Sequence, residues 1–133
     1  MFIGVVYFSM NAAMEKALNG TYTRMLRKAL NICWSSHITN EQLYGDLPAV
    51  CDKIAARRLQ LAGHCHRHPE LSTQKVVLWE PAHGHRGRGR PRTNYVETLK
   101  RDTGASNTSE LAAMMADRTV WRSCVRSRRA KSN

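Results

Sequence analysis

The stretch His83–Arg92 reads His-Gly-His-Arg-Gly-Arg-Gly-Arg-Pro-Arg, and it limits how the rest of the chain can fold. Four arginines alternate with glycine or proline, and no acidic residue interrupts them. Glycine lets the backbone lie flat and close to a partner. Pro91 fixes its own φ and biases Arg90 toward an extended conformation. A ribbon with a positive charge at every second residue cannot build a core and repels itself when left alone. Two readings fit it: a solvated basic linker, or an insert for a narrow, negatively charged groove. The minor groove of A·T-rich DNA is such a groove, because its narrowness deepens the potential that attracts arginine.

The core Arg88-Gly89-Arg90-Pro91 resembles an AT-hook, a short minor-groove motif. Charge elsewhere points the same way. The 133 residues carry a formal net charge of +11. Residues 1–82 hold nine Lys/Arg against six Asp/Glu, and residues 83–133 hold twelve against four. A basic half of this kind suits phosphate-rich partners, since each phosphate neutralised releases counterions. An anionic membrane is the rival partner. No long basic amphipathic helix with an aromatic face supports it, and no membrane association is expected.

Four cysteines, Cys33, Cys51, Cys65 and Cys124, are widely spaced and form no Cys-x-x-Cys pair. Free thiols in a reducing compartment are expected, with the chain nuclear or cytoplasmic rather than secreted. The apolar run within residues 1–10 lacks a basic leader and is too short to span a bilayer. Its apolar character asks for a packing partner.

The rest of the chain reads as helices. One is expected from about Ala12 to Cys33, with Leu18, Tyr22, Met25, Leu26, Ala29 and Cys33 on one face and Arg24, Arg27 and Lys28 opposite. Gly20 weakens its middle by about 1 kcal/mol relative to alanine, so a break can fall there. Thr39 or Asn40 caps a short turn, Glu41 to Tyr44, ended by Gly45. With Asp46 as N-cap, a second long helix is expected from about Pro48 to Cys65. Leu47, Val50, Cys51, Ile54, Leu61, Ala62 and Cys65 form its buried face, while Arg57 and Arg58 point to solvent or phosphate. Val76–Trp79 is a short strand or extended segment. Thr93 or Asn94 opens a two-turn helix that ends before Gly104. Asn107 with Glu110 makes a capping-box pattern for a last helix carrying Leu111, Met114, Met115, Trp121 and Val125. Asp117 offers a restart within it, and residues 126–133 read as a disordered basic tail. The expected fold is mostly α: a small helical bundle-like fragment with an irregular Gly/Arg-rich loop. Its segments are 1–10, 11–82, the ribbon 83–92, 93–125 and the tail.

Chemistry has few footholds. His64, Cys65 and His68 could share a metal, since His64 and His68 stand at i,i+4. The competing reading is a polar helix end with imidazoles near its C-terminal dipole, and neither a metal nor a cofactor is expected. No carboxylate pair stands out as an acid/base dyad. Trp34, Trp79 and Trp121 could stack on bases, but a tryptophan in an amphipathic segment more commonly packs in a core.

Several blocks, in order, carry a resemblance. They are Thr21–Arg27, His37–Gly45, Arg57–His64, Leu78–Pro81 and Gly89–Tyr95. Together they resemble the C-terminal region of reverse transcriptases from non-LTR (LINE-like) retrotransposons, downstream of the polymerase palm, over residues 11–125. The family's palm carries a Tyr-x-Asp-Asp turn, and this chain has no Asp-Asp pair. The resemblance therefore implies a non-catalytic piece of an enzyme, from a reading frame that starts inside an older element. It also implies a thumb-like helical region holding a template–product duplex, DNA or RNA. Arg24, Arg27, Lys28, Arg57 and Arg58 would then contact phosphate. Arg86, Arg88, Arg90 and Arg92 would contact a groove or backbone. The missing polymerase body would be a further partner, and a relic without activity of its own is the alternative.

Overall fold

Helix α3 (Val50–Arg67) is the axis on which the other elements pack. The structure, a computed structural model, describes residues 10–70, 72–79 and 94–130, with side chains through 128. The ribbon lies outside the described residues, as does the apolar start up to residue 9. Among the described residues seven helices and one 3-10 turn follow in order: α1 (Ala12–Ala29), the turn Trp34–Ser36, α2 (Asn40–Tyr44), α3, α4 (Gln74–Val77), α5 (Tyr95–Thr103), α6 (Thr108–Ala116) and α7 (Arg118–Ala130). The mostly helical bundle is as expected, and no strand occurs among the described residues.

Local chemistry sets the boundaries. Asn11 caps α1, its side chain accepting from the Met14 N–H at 2.8 Å. The helix runs unbroken through Gly20 and stops at Ala29 rather than Cys33. There Asn31 turns left-handed, and the Ile32 N–H reaches back to the Arg27 carbonyl at 2.9 Å. Thr39 and Gln42 close a reciprocal capping box over α2, and Gly45 at φ 49° ends it. Ala49 rather than Asp46 stands at the α3 N-cap, with no side-chain bond. Asn94 and Gly104 bound α5 as expected.

Two expectations change and one is met. Residues 74–77 form a helical turn rather than a strand. Asp117 does split the last helix: its carboxylate accepts from the N–H groups of Thr119 and Val120, which starts α7 anew. Residues 126–130 are the end of α7, not a disordered tail. Their order has a cause in Arg128, described below.

One core joins the segments before and after the ribbon. Ala56, Leu59 and Ala62 of α3 meet Val96 and Leu99 of α5, Leu111 and Met115 of α6, and Trp121 and Val125 of α7. Leu59, fully buried, is a core residue that the apolar-face reading passed over. Trp121 is 2% exposed and donates its Nε1–H to the Leu59 carbonyl at 2.8 Å. It lies against Gly63, where an added Cβ would collide with the indole Nε1 and Cδ1. Glycine inside a helix costs about 1 kcal/mol; here it makes room for the largest core side chain. Helix α1, although 18 residues long, has no buried residue, and Met25 remains 65% exposed.

The second fastening is polar. Arg58 is 1% exposed, and its Nη1 donates to Asp102 Oδ2 at 2.7 Å. The expectation that Arg58 faces solvent or phosphate is thereby corrected. It sits one position from Leu59 on the packed side of α3, and burial is possible because Asp102 supplies the opposite charge. Arg128 Nη2 holds Asp102 Oδ1 at 3.0 Å, while its Nε donates to the Asp102 carbonyl at 3.1 Å. An acid in the last turn of α5 faces the negative end of that helix, and two guanidiniums offset both charges. Asp102→Ala would leave Arg58 buried and unpaired, and is expected to destabilise the chain by about 3–5 kcal/mol. Replacing the pair together, Arg58→Met with Asp102→Leu, should cost less. Urea unfolding followed by circular dichroism measures both.

Candidate nucleic-acid interface

The basic residues divide by what they touch. Arg24 and Lys28, one helical turn apart on α1, are exposed and make no ion pair among the described residues. Arg57 is likewise exposed and unpaired on α3. Arg27 is half-buried and bound within the chain: its Nη2 donates to the Ile38 carbonyl at 2.6 Å and to Asn40 Oδ1 at 3.2 Å. That bond fastens the loop after α1, so Arg27 has a structural task that the sequence did not suggest. Arg58 is committed to Asp102. Arg67 at the end of α3 donates to the Met115 carbonyl at 2.8 Å, a cation at the C-terminus of α6. Arg86, Arg88, Arg90 and Arg92 lie outside the described residues.

A set of arginines not singled out from sequence occupies α7. Arg118, Arg122 and Arg126 recur every fourth residue, are all exposed, and have no acidic partner among the described residues. Thr119, Ser123 and Ser127 run beside them, and a shallow groove follows this edge. The buried Trp121 and Val125 lie about a quarter-turn round the helix from the arginines. The signal was present as an i,i+4,i+8 repeat, but assigning residues 126–133 to a tail cut it short.

Aromatic residues also fall differently from expectation. Only Trp121 is a core residue; Trp34 is 84% and Trp79 63% exposed. Trp79 stands just before the segment that leads into the ribbon.

The His/Cys cluster does not assemble. The His64 and His68 rings lie 4.2 Å apart between centroids, but Cys65 faces the core at 4% exposed. Residue 65 follows 64 by about 100° around the helix, which sends the thiol inward as the imidazole points out. His68 Nδ1 instead meets Glu70 Oε1 at 2.7 Å. No group of three His, Cys, Asp or Glu side chains converges among the described residues.

All four cysteines are free. Cys33 is exposed, and hydrogen bonding from the Ser35 side chain, then its backbone, lowers its pKa. Burial raises that of Cys51, with Glu15 and Asp52 adding to the effect. The thiolate is the reactive form. Cys33 should therefore be the first of the two alkylated by iodoacetamide, from a lower pH, with Cys51 following only at higher pH. Peptide mass spectrometry across a pH series checks the order, and Cys51 reacting first would contradict it.

The chain matches no protein-family model, and no significant match was found among curated proteins or solved structures. No helix among the described residues is long and apolar enough to cross a membrane.

Proposed function

We propose that the chain is a non-catalytic nucleic-acid-binding fragment, similar to the thumb and downstream region of a non-LTR retrotransposon reverse transcriptase. Its mechanism is phosphate clamping by helix-borne cations, with the Gly/Arg ribbon entering a groove. One observation carries the reading: most acids among the described residues are engaged within the chain, while a set of exposed arginines and lysines is left without an acidic partner. Asp102 is held by Arg58 and Arg128, Glu15 by Arg101 at 3.1 Å, and Glu97 by Lys100 at 3.0 Å. Glu110 accepts from the Ser106 N–H, and Asp117 caps α7. Arg24, Lys28 and Arg57 remain exposed without such partners among the described residues. A surface left with this excess attracts polyanions. Phosphate contacts position a protein without specifying sequence, so sequence selectivity should be low.

A second reading has its own observation. Met14, Met25, Leu30 and Trp34, on α1 and the turn after it, are exposed apolar residues. They suit a helix once covered by a polymerase body, which makes the chain a relic with no activity of its own.

The discriminating test is a fluorescence-anisotropy titration against duplex DNA, single-stranded RNA and an RNA–DNA hybrid over a range of salt. Log affinity is expected to fall linearly with log salt, at about 0.9 per phosphate neutralised on a duplex. Arg88→Ala, Arg90→Ala and Arg92→Ala together should make that slope shallower. A flat salt response, or binding no stronger than that of a generic polycation, would favour the relic.

A further inference from the structure

We infer that the outer face of α7 is a docking track for the sugar–phosphate backbone of a nucleic-acid duplex, with Arg118, Arg122 and Arg126 as the contacting side chains. The inference rests on the nucleic-acid reading above and assigns it a surface and a form of ligand.

Geometry supplies the first argument. Residues four apart rise about 6 Å along a helix and turn about 40°, so the three positions span about 12 Å along a stripe that winds slowly round the exposed side. The stripe is rigid. Trp121 and Val125 fix α7 to the core, and Arg128 ties its end to Asp102 and the Arg101 carbonyl. No Asp or Glu lies within α7 to compete for the arginines. The acid that precedes Arg118 in sequence, Asp117, already accepts from two backbone N–H groups and the Thr119 hydroxyl. Thr119, Ser123 and Ser127 are small, which keeps the flank of the stripe low and lets a polymer backbone approach.

Chemistry selects the duplex over its rivals. Single strands are held by aromatic platforms as well as charge. The one aromatic residue of α7 is Trp121, and it is buried. An anionic membrane needs an apolar face to insert beside the charges. The apolar side of α7 is already the protein core, and only Val120 shows 41% of its surface. What remains is a stripe of guanidiniums that can grip phosphates without reaching a base.

The test compares three full-length proteins: wild type, Arg118→Gln/Arg122→Gln/Arg126→Gln, and the same positions changed to Lys. Glutamine and lysine are good helix formers, and the positions are exposed, so the helical spectrum should persist. Each protein is titrated against duplex DNA, the matching single strand and phosphatidylserine vesicles. The Gln variant should bind duplex about tenfold or more weakly, with a salt slope shallower by about 2–3. The Lys variant should keep most of both, and the single strand should lose less than the duplex. If wild type binds duplex and the Gln variant binds it equally well, the track is refuted while the nucleic-acid reading stands. If wild type binds neither strand form, both fall. Equal losses on single strand and duplex would overturn the duplex assignment. Vesicle binding lost by the Gln variant while duplex binding is unchanged would assign the stripe to a membrane instead.

Discussion

The fold depends on one carboxylate held between two guanidiniums. Asp102 closes the C-terminal turn of α5, accepts from Arg58 on α3 at 2.7 Å and from Arg128 on α7 at 3.0 Å, and has a side chain only 3% exposed. A buried ion pair is a poor source of net stability, because desolvation opposes the attraction. Its strength is in what it forbids. A helix slid by one residue would strand a charge in the core, and Arg58 Nε already lacks a partner there. The triad therefore fixes how α3, α5 and α7 sit relative to one another, while the apolar cluster supplies the bulk of the driving force.

That constraint sorts the cations. Arg58 and Arg128 hold the core, Arg67 and Arg27 tie helix ends and a loop, and Arg101 links α5 to α1. Among the described residues, Arg24, Lys28, Arg57, Arg118, Arg122 and Arg126 face solvent without an acidic partner. A chain with this surplus could satisfy its arginines only by using far more acids than it has. Excess surface charge destabilises the compact state through self-repulsion, and a polyanionic partner relieves it. The same helix that contributes Trp121 and Arg128 to the interior presents Arg118, Arg122 and Arg126 outside, so folding itself sets the outer row.

Most of the helices were legible in the sequence, because their signals are local. Thr39 or Asn40 before α2, Asn94 with Gly104, and Asn107 with Glu110 act within a turn or two and placed their helix ends to within a residue. What failed was long-range. Nothing local tells that Arg58 is buried while its neighbour Arg57 is not, since Asp102 lies 44 residues away. Helical periodicity gave α1 an apolar face, but not whether anything covers it. Val76–Trp79 has β-branched and aromatic residues that suit a strand, yet no other strand exists among the described residues for it to pair with. The end of α7 looked like a charged tail because its anchor, Arg128, resembles its solvated neighbours in composition. Two of the three tryptophans proved exposed, since residue type alone does not report whether a pocket such as the one opened by Gly63 is available.

The central claim is that the arginines divide into interior ties and an outer set free for phosphate. Phenylglyoxal modification of the native chain, read residue by residue by mass spectrometry with and without duplex DNA, measures that division directly. Arg58 should stay unmodified in both conditions, while Arg118, Arg122 and Arg126 should react readily alone and become protected by duplex. Arg58 reacting as fast as Arg122 in the folded protein, or an outer row that duplex leaves fully reactive, would contradict the account.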